Sequence, residues 1–153
     1  MPAQKIVRRL MHLGFLAARP MTLGVRVAAF DDASRLFLVR HTYVPGWYMP
    51  GGGVDAGETV EAAARRELGE EANIEAPQGL RLMSVHFNTS SSRRDHVIVY
   101  RADGVVQTEP KTPDREIAES GFFPVNDLPA DMTEATRRRV GEICHGAPPD
   151  PYW

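Results

Sequence analysis

Three glutamates recur at short spacing within one alanine-rich stretch of the chain. Glu67, Glu70 and Glu71 follow the small residues Ala63 and Ala64. Because a helix turns by about 100° per residue, these acids would share the face on which the alanines pack against a sheet. Carboxylates turned inward repel one another and lose hydration, which is costly unless a cation compensates them. The spacing therefore predicts a site for a hard divalent cation such as Mg²⁺, which prefers oxygen ligands.

A second interpretation of the helix alone stays open. Arg65 and Arg66 lie among these acids, and a solvated acidic face paired with arginines is common on helices. The preceding loop favours the metal site. The glycines at 51–53 supply backbone that approaches other groups closely. Glu58 stands eight residues before Arg66, where the two side chains can pair and brace the loop against the helix.

These positions together resemble the signature of the Nudix hydrolases. That signature is a Gly, a Glu, and then Arg-Glu-apolar-any-Glu-Glu-any-Gly-apolar at fixed spacing, and residues 52–74 match eight of its nine fixed positions. Asn73 stands where the family usually has Gly. Asn tolerates the left-handed conformation at modest cost, so we expect the departure to leave activity intact. The lead-in at 46–52 and the stretch 116–129 extend the resemblance over most of residues 22–129.

The resemblance implies a fold and a reaction. The fold is α/β, a mixed β-sheet sandwiched between α-helices. The reaction is hydrolysis of a nucleoside diphosphate linked to a group X, giving NMP and phosphorylated X with Mg²⁺, or alternatively Mn²⁺. Carried over to this chain, the resemblance assigns metal binding to Glu67, Glu70, Glu71 and the Gly52 backbone. It assigns catalysis to Glu67, Glu70, Glu116 and Arg66, and structural bracing to Glu58 with Arg66.

The general base varies among members of that family, and two acids late in this chain are candidates. Glu116 and Glu119 lie in the stretch where relatives often supply an extra acid. We favour Glu116, because its offset from Phe122 and Phe123 resembles the family pattern. The alternative is that both acids are ordinary loop residues.

Candidate substrate-binding residues are marked less clearly. Guanidinium groups suit phosphate oxygens, and aromatic rings can stack on a base or sugar. We select Arg40, Tyr43, Trp47, Tyr48 and Arg94. Each can instead be a packing residue or a solvated charge. The hypothesis is an enzyme for a small NDP-X such as a nucleotide sugar. The alternatives are a nucleoside triphosphate pyrophosphohydrolase and a non-catalytic nucleotide sensor.

The elements that position these residues follow from hydrophobic patterning. Strands are predicted over 22–30 and 35–41, paired as a hairpin, and over 80–88, 96–102 and 121–125. A helix is predicted over 59–72, capped by Thr59 and ended by Asn73. A second is predicted over 131–145, capped by Asp131 or Thr133.

Length and composition fit one domain. The 153 residues carry 18 Lys and Arg against 20 Asp and Glu, a balance that gives no reason to expect a nucleic-acid or membrane partner. A single cysteine, Cys144, cannot form an internal disulfide, so we expect a cytoplasmic protein. We divide the chain into an N-terminal helix over 1–20 packed on the domain, a Nudix domain over 21–145 and a Pro-rich tail over 146–153. We expect the N-terminal helix, and Tyr152 and Trp153 of the tail, either to pack back onto the domain or to support a homodimer.

Overall fold

The computed structural model describes the backbone of residues 2–153 and the side chains of residues 4–153. The helices are α1 (Pro2–Ala18), α2 (Val60–Ala72) and α3 (Glu134–His145). The strands are β1 (Thr22–Ala29), β2 (Arg35–His41), β3 (Trp47–Tyr48), β4 (Ile74–Glu75), β5 (Arg81–Phe87), β6 (Asp95–Ala102), β7 (Val106–Gln107) and β8 (Ile117–Pro124). In the described part of the chain, no helix has both the length and the apolar character needed to cross a bilayer.

The helix that carries the glutamates is fixed at both ends by its capping residues. The Thr59 hydroxyl accepts a hydrogen bond from the Ala62 N–H at 3.1 Å. Asn73 adopts the left-handed conformation, with φ 53° and ψ 38°, and its N–H donates to the Gly69 carbonyl at 3.1 Å. Both predicted ends of α2 are confirmed. In α3, Thr133 is the capping residue.

The strands form two three-stranded sheets and one short pair. In the first sheet β6 lies between β1, which is parallel to it, and β5, which is antiparallel; in the second, β2 lies between β3 and β8. The predicted pairing of β1 with β2 is therefore wrong beyond a single bridge between Phe30 and Leu36. The reason is that the loop of residues 50–53, the glycine loop, forms backbone hydrogen bonds with the edge of β1 that is not paired with β6. The N–H groups of Val25 and Val27 donate to the carbonyls of Gly52 and Pro50 at 2.8 and 2.9 Å.

Apolar layers cover both faces of the strands. Because side chains alternate along a strand, Phe37 and Val39 of β2 join the layer under α2, while Leu36 and Leu38 join the layer under α3. The α2 layer also holds Val25, Val27, Ala63, Ala64 and Leu68. The predicted arrangement of a mixed sheet between helices is confirmed.

The two termini behave differently. Side chains of residues 4–21 are exposed, so α1 stands away from both layers, in contrast to the prediction that it packs on the domain. The strand faces that it could cover are already covered by α2 and α3. The tail instead packs back. The Phe87 N–H donates to the Pro151 carbonyl at 2.8 Å, and the Trp153 N–H donates to the Phe87 carbonyl at 3.0 Å.

Candidate active site

The three helix glutamates do not face the same environment. Glu67 and Glu71, one turn apart on α2, are both buried. The Glu70 side chain is 62% exposed and lies at the rim. The inward placement predicted for all three acids therefore applies to two of them. Glu70 lies on the solvent side of the helix face that carries the three acids, and its carboxylate accepts a hydrogen bond from the Arg66 guanidinium at 3.2 Å.

Arg66 joins the loop to the helix. Its Nη2 lies 2.8 Å from Glu58 Oε1 and 2.9 Å from the Gly53 carbonyl. Its Nη1 lies 2.7 Å from Glu67 Oε1. Glu58 first, and then Glu67, raise the pKa of Arg66 above its ordinary value, and the pairing with Arg66 lowers the pKa of Glu58. Glu58 and Arg66 are therefore in contact, and their role as a structural brace stays a prediction.

The glycine loop brings its backbone directly against the acids. Gly51 has φ 146°, and its N–H donates to Glu71 Oε2 at 2.8 Å. A Cβ at Gly51 would collide with the Val25 carbonyl of β1, and one at Gly52 would collide with the Glu67 carboxylate. Only glycine permits this approach. The Gly52 carbonyl already accepts from the Val25 N–H, so a single lone pair of that oxygen is left for a cation.

Burial sets the protonation of the inward acids. The Glu71 residue is 3% exposed, and burial raises its pKa to about 7, although the Gly51 N–H and the nearby Arg26 oppose the shift. Burial also raises the pKa of Glu67, against the lowering effect of Arg66. The charge of Glu67 raises the pKa of Glu71 further, and the charge of Glu70 raises the pKa of Glu67, because like charges share the site. The pair is thus short of positive charge.

Glu116 reaches this site from the loop before β8, and neighbouring residues position it. Asp114 Oδ1 accepts from the Glu116 N–H and the Ile117 N–H, both at 2.8 Å. Lys111 pairs with Asp114 at 2.7 Å and donates to the Glu70 carbonyl of α2 at 2.7 Å. The loop that carries Glu116 is therefore tied to the end of the glutamate helix.

His41 is a residue of the site that sequence reasoning missed. It is buried, its Nε2 lies 3.7 Å from Glu71 Oε1, and neither ring nitrogen has a hydrogen-bond partner. Burial, followed by Arg26, lowers its pKa, so the ring is neutral near neutral pH and offers a free lone pair. Strand alternation could have located it, because His41 follows Phe37 and Val39 on the face of β2 turned toward α2.

His41, Glu71 and Glu116 converge. One ligand atom from each lies within 4.8 Å of the others. Carboxylate oxygens with a neutral imidazole form a donor set that suits a divalent cation. The buried imidazole without a partner and the raised carboxyl pKa values both indicate that the residues fit such an ion.

Comparison with known proteins decides the family. The NUDIX domain matches residues 20–142. The chain belongs to the NUDIX family. A solved structure titled MutT NUDIX hydrolase, from Burkholderia pseudomallei, superposes with a TM-score of 0.68 at 30% identity, covering 80% of this chain and 97% of that one.

Curated Nudix relatives carry several activities. A putative 8-oxo-dGTP diphosphatase of Bacillus subtilis is 28% identical over 126 residues, which is 82% of each chain. An ADP-ribose pyrophosphatase of Methanocaldococcus jannaschii is 40% identical over 83 residues, which is 53% of this chain and 47% of that one. The chain spans about a third to a half of the length of several curated relatives.

Beside the acids of this Nudix domain lies an open cleft of about 460 Å³. Arg40, His41, Tyr43 and Glu119 contribute to its lining. The Tyr43 residue is 66% exposed, and its hydroxyl lies 3.5 Å from Glu116 Oε1. Arg40 pairs with Glu119 at 3.1 Å. These two candidates for substrate binding are therefore next to the site.

The other candidates are placed differently. Trp47 is a core residue, which corrects its assignment to substrate binding: it is buried and packs edge-on against Phe123 at 5.0 Å. Tyr48 is half-buried, with its hydroxyl on the Pro45 carbonyl at 2.9 Å and its ring beside Arg26. Arg94 is exposed on the loop between β5 and β6, and its role in binding stays a prediction.

Proposed function

We propose that this protein is a metal-dependent Nudix hydrolase that cleaves a phosphoanhydride bond in a small nucleoside diphosphate derivative, NDP-X, to NMP and P-X. The observation that carries the proposal is the convergence of the buried Glu71 and His41 with the exposed Glu116, beside the buried Glu67. An apolar side chain at these inward positions would stabilise the fold more. Acids held there at a cost in hydration are typical of a functional site.

Glu67, Glu71 and Glu116 are the acids that we assign to Mg²⁺ or Mn²⁺, with Glu70 at the rim as a further ligand. The bound metal supplies neutralisation of the diphosphate charge and a water of lowered pKa. The residues of the chain hold the arrangement in place. Arg66 keeps the glycine loop against α2 through Glu58 and the Gly53 carbonyl, so that Glu67 and Glu71 stay at a fixed distance from that loop.

Glu116 is our candidate for the general base. It is exposed, its backbone is held by Asp114, and Tyr43, which lines the cleft, approaches its carboxylate. A carboxylate in that position accepts a proton from the attacking water as the phosphoanhydride bond breaks. Tyr43 offers an exposed ring on which a base or sugar can stack, and Arg40 offers a guanidinium for phosphate oxygens.

A nucleotide sugar is the substrate that we favour. Glu119 and Asp131 lie 3.1 and 3.8 Å from the Arg40 guanidinium, and carboxylates beside an arginine provide acceptors for sugar hydroxyls. The ADP-ribose pyrophosphatase among the relatives supports this choice. A second candidate substrate is a nucleoside triphosphate. It is favoured by the Bacillus subtilis relative, a putative 8-oxo-dGTP diphosphatase matched over 82% of both chains.

The test is phosphate release from a panel of NDP-sugars, dinucleotides and nucleoside triphosphates, each with Mg²⁺, with Mn²⁺ and with EDTA. A phosphomonoesterase added after the reaction reports P-X and NMP, because the intact NDP-X diester resists it. Inorganic pyrophosphatase reports the pyrophosphate that triphosphates yield. We expect release that requires the metal and is fastest with an NDP-sugar.

Two results would change the assignment. Faster turnover of triphosphates would replace NDP-X with the second candidate and keep the metal centre. A folded protein that binds nucleotides but releases no phosphate with either metal would make the chain a nucleotide sensor. Glu61→Gln is the control for substitutions of the acids in the proposed metal site. It removes a charge on the exposed side of the same helix, where Glu61 pairs with Arg65. This variant should retain the wild-type rate.

A further inference from the structure

The first helix separates apolar from basic side chains around its axis. With about 100° of rotation per residue, the apolar side chains other than Leu16 fall within a sector of about 200°. A separate sector about 100° wide holds every basic side chain of α1 together with Leu16. The apolar sector includes Ile6, Val7, Leu10, Met11, Leu13, Phe15 and Ala17. The basic sector includes Lys5, Arg8, Arg9 and His12, and Arg19 just after the helix continues it.

No described part of the domain covers this apolar sector. Ile6, Leu10, Met11 and Phe15 are each more than half exposed, with Leu10 at 63%. Apolar side chains of this size gain free energy when they leave water. An exposed run of them indicates an interaction surface.

The width of the apolar sector helps to identify its occupant. A helix that packs on one partner helix or on a sheet buries a stripe of roughly 100°. If α1 packed against a single helix or sheet, about half of an apolar sector twice that wide would remain in water. A helix that lies in the interface of a bilayer immerses about half of its circumference. The observed sector matches the bilayer.

The charges select the kind of bilayer. The first acid of the chain is Asp31, so residues 1–20 carry Lys5, Arg8, Arg9 and Arg19 without a compensating carboxylate. The chain as a whole has a net charge of −2, so this basic character is confined to the helix region. Basic side chains beside an immersed apolar face are attracted to anionic headgroups.

We propose that α1 binds the surface of an anionic lipid bilayer, with its apolar sector at the acyl boundary and its basic sector among the headgroups. This replaces the expectation, drawn from overall charge, that no membrane is involved. The helix lies on the surface and does not span the bilayer, in line with its length and charge. The proposal stands on α1 alone and does not depend on the hydrolase activity.

The test is co-sedimentation of the full chain with vesicles of phosphatidylcholine alone or with roughly one-third phosphatidylglycerol. Leu10 and Leu16 offer a matched pair, because both are exposed but Leu10 lies in the apolar sector and Leu16 in the basic sector. We expect binding to the anionic vesicles only. Leu10→Ser should weaken it about tenfold or more, whereas Leu16→Ser should change it little. Arg8→Gln with Arg9→Gln should weaken it about fivefold per charge.

Thermal unfolding of each variant checks that the domain is unaffected, which is expected because α1 packs on neither apolar layer. Equal binding to neutral and anionic vesicles, equal losses in the two leucine variants, or no vesicle binding would each overturn the proposal. A dimer in solution that Leu10→Ser dissociates, together with no vesicle binding, would assign the apolar sector to a second copy of this chain instead.

Discussion

Two buried groups of charged side chains in this molecule are compensated in different ways. On α3, Arg139 is fully buried, and its Nη2 pairs with Glu142 at 2.6 Å while its Nη1 donates to the Tyr152 carbonyl at 3.0 Å. Glu142 also accepts from the Asp150 N–H at 2.9 Å. On α2, Glu67 and Glu71 are buried beside each other, and His41 adds two nitrogens without partners. In the first group, which we call the closed group, Glu142 balances the charge of Arg139 and the tail supplies further hydrogen bonds. In the second, which we call the open group, the acids outnumber the positive charges around them.

The difference separates a structural role from a functional one. A buried ion pair whose opposite charge is supplied by the fold fixes a segment, here the C-terminal tail against α3 and β5. A buried set of acids with fewer positive than negative charges around it can bind a cation, and it destabilises the fold when no cation is bound. Perturbing the two groups should therefore have opposite consequences for stability and for turnover.

The largest expected effect on stability follows from breaking the closed group. Arg139→Met leaves the Glu142 carboxylate buried without its cation, and we expect a loss of about 3 to 5 kcal/mol in the free energy of unfolding. For a domain of this size, that lowers Tm by roughly 10 °C or more. Turnover per folded molecule should stay at the wild-type value. The double variant Arg139→Met with Glu142→Leu should recover most of the loss, and a double variant as unstable as the single one would contradict the role of the pair.

Removing a charge from the open group on α2 should lower turnover instead of stability. Glu71→Gln keeps the shape of the side chain but removes a charge from the proposed metal site, and we expect kcat to fall by about 10²- to 10³-fold. Mg²⁺ affinity, measured by calorimetry, should fall as well. Glu61→Gln makes the same charge change on the same helix, outside the site, and serves as the control. Wild-type turnover and metal affinity in Glu71→Gln would refute the metal assignment.

The pH dependence of stability offers a third comparison. The Glu71 carboxyl has a pKa of about 7 when folded, against its ordinary value of 4.5. Between these values the folded state holds a proton that the unfolded state has released, so stability without metal falls as pH rises from about 4.5 to about 7. The full change is on the order of 3 kcal/mol. Above that window, Glu71→Gln should be the more stable protein.

Urea denaturation of wild type and Glu71→Gln across that window, with EDTA, measures this effect. The difference between the two proteins is the informative quantity, because His41 and His86, whose pKa values burial lowers, contribute with the opposite sign. Saturating Mg²⁺ should reverse the trend, since a metal binds the ionised acids more tightly as pH rises. A difference that does not vary with pH would show that the folded state does not raise the Glu71 pKa.

The contrast between the groups also explains how far the sequence could lead. The loop, the brace and the glutamates lie within residues 52–74, so their spacing along one helix was sufficient to predict Glu58 with Arg66 and the inward acids. His41, Asp114 and Lys111 reach the site from distant segments, and their roles depend on how β2 and the loop before β8 pack around α2. Strand alternation places His41 on the face of β2 turned toward α2, but it does not show which residues of distant segments His41 meets there.

The incorrect expectations have the same origin. The hairpin of β1 with β2 was inferred from adjacency, but the edge of β1 is taken by Pro50 and Gly52 from a loop further along the chain. Trp47 sits in an aromatic loop that looks like a binding surface in the sequence, yet it closes the α3 layer. Glu70 shares an arc with Glu67 and Glu71, and only the position of the sheet decides which of the three remains at the rim.

The smallest expected effect concerns the one departure from the Nudix signature. Asn73 is left-handed, with φ 53°, a conformation that costs Asn little and Ala about 1 kcal/mol or more. Asn73→Gly relieves the folded state but frees the unfolded chain by a similar amount, so we expect stability within about 0.5 kcal/mol of wild type. Asn73→Ala should lose about 1 kcal/mol. Both should keep wild-type turnover, because the Asn73 carbonyl contact to the Thr108 N–H is made by backbone. A large gain in turnover in Asn73→Gly would contradict this expectation. It would mean that the conformation at the end of α2 changes the position of the acids and so affects catalysis.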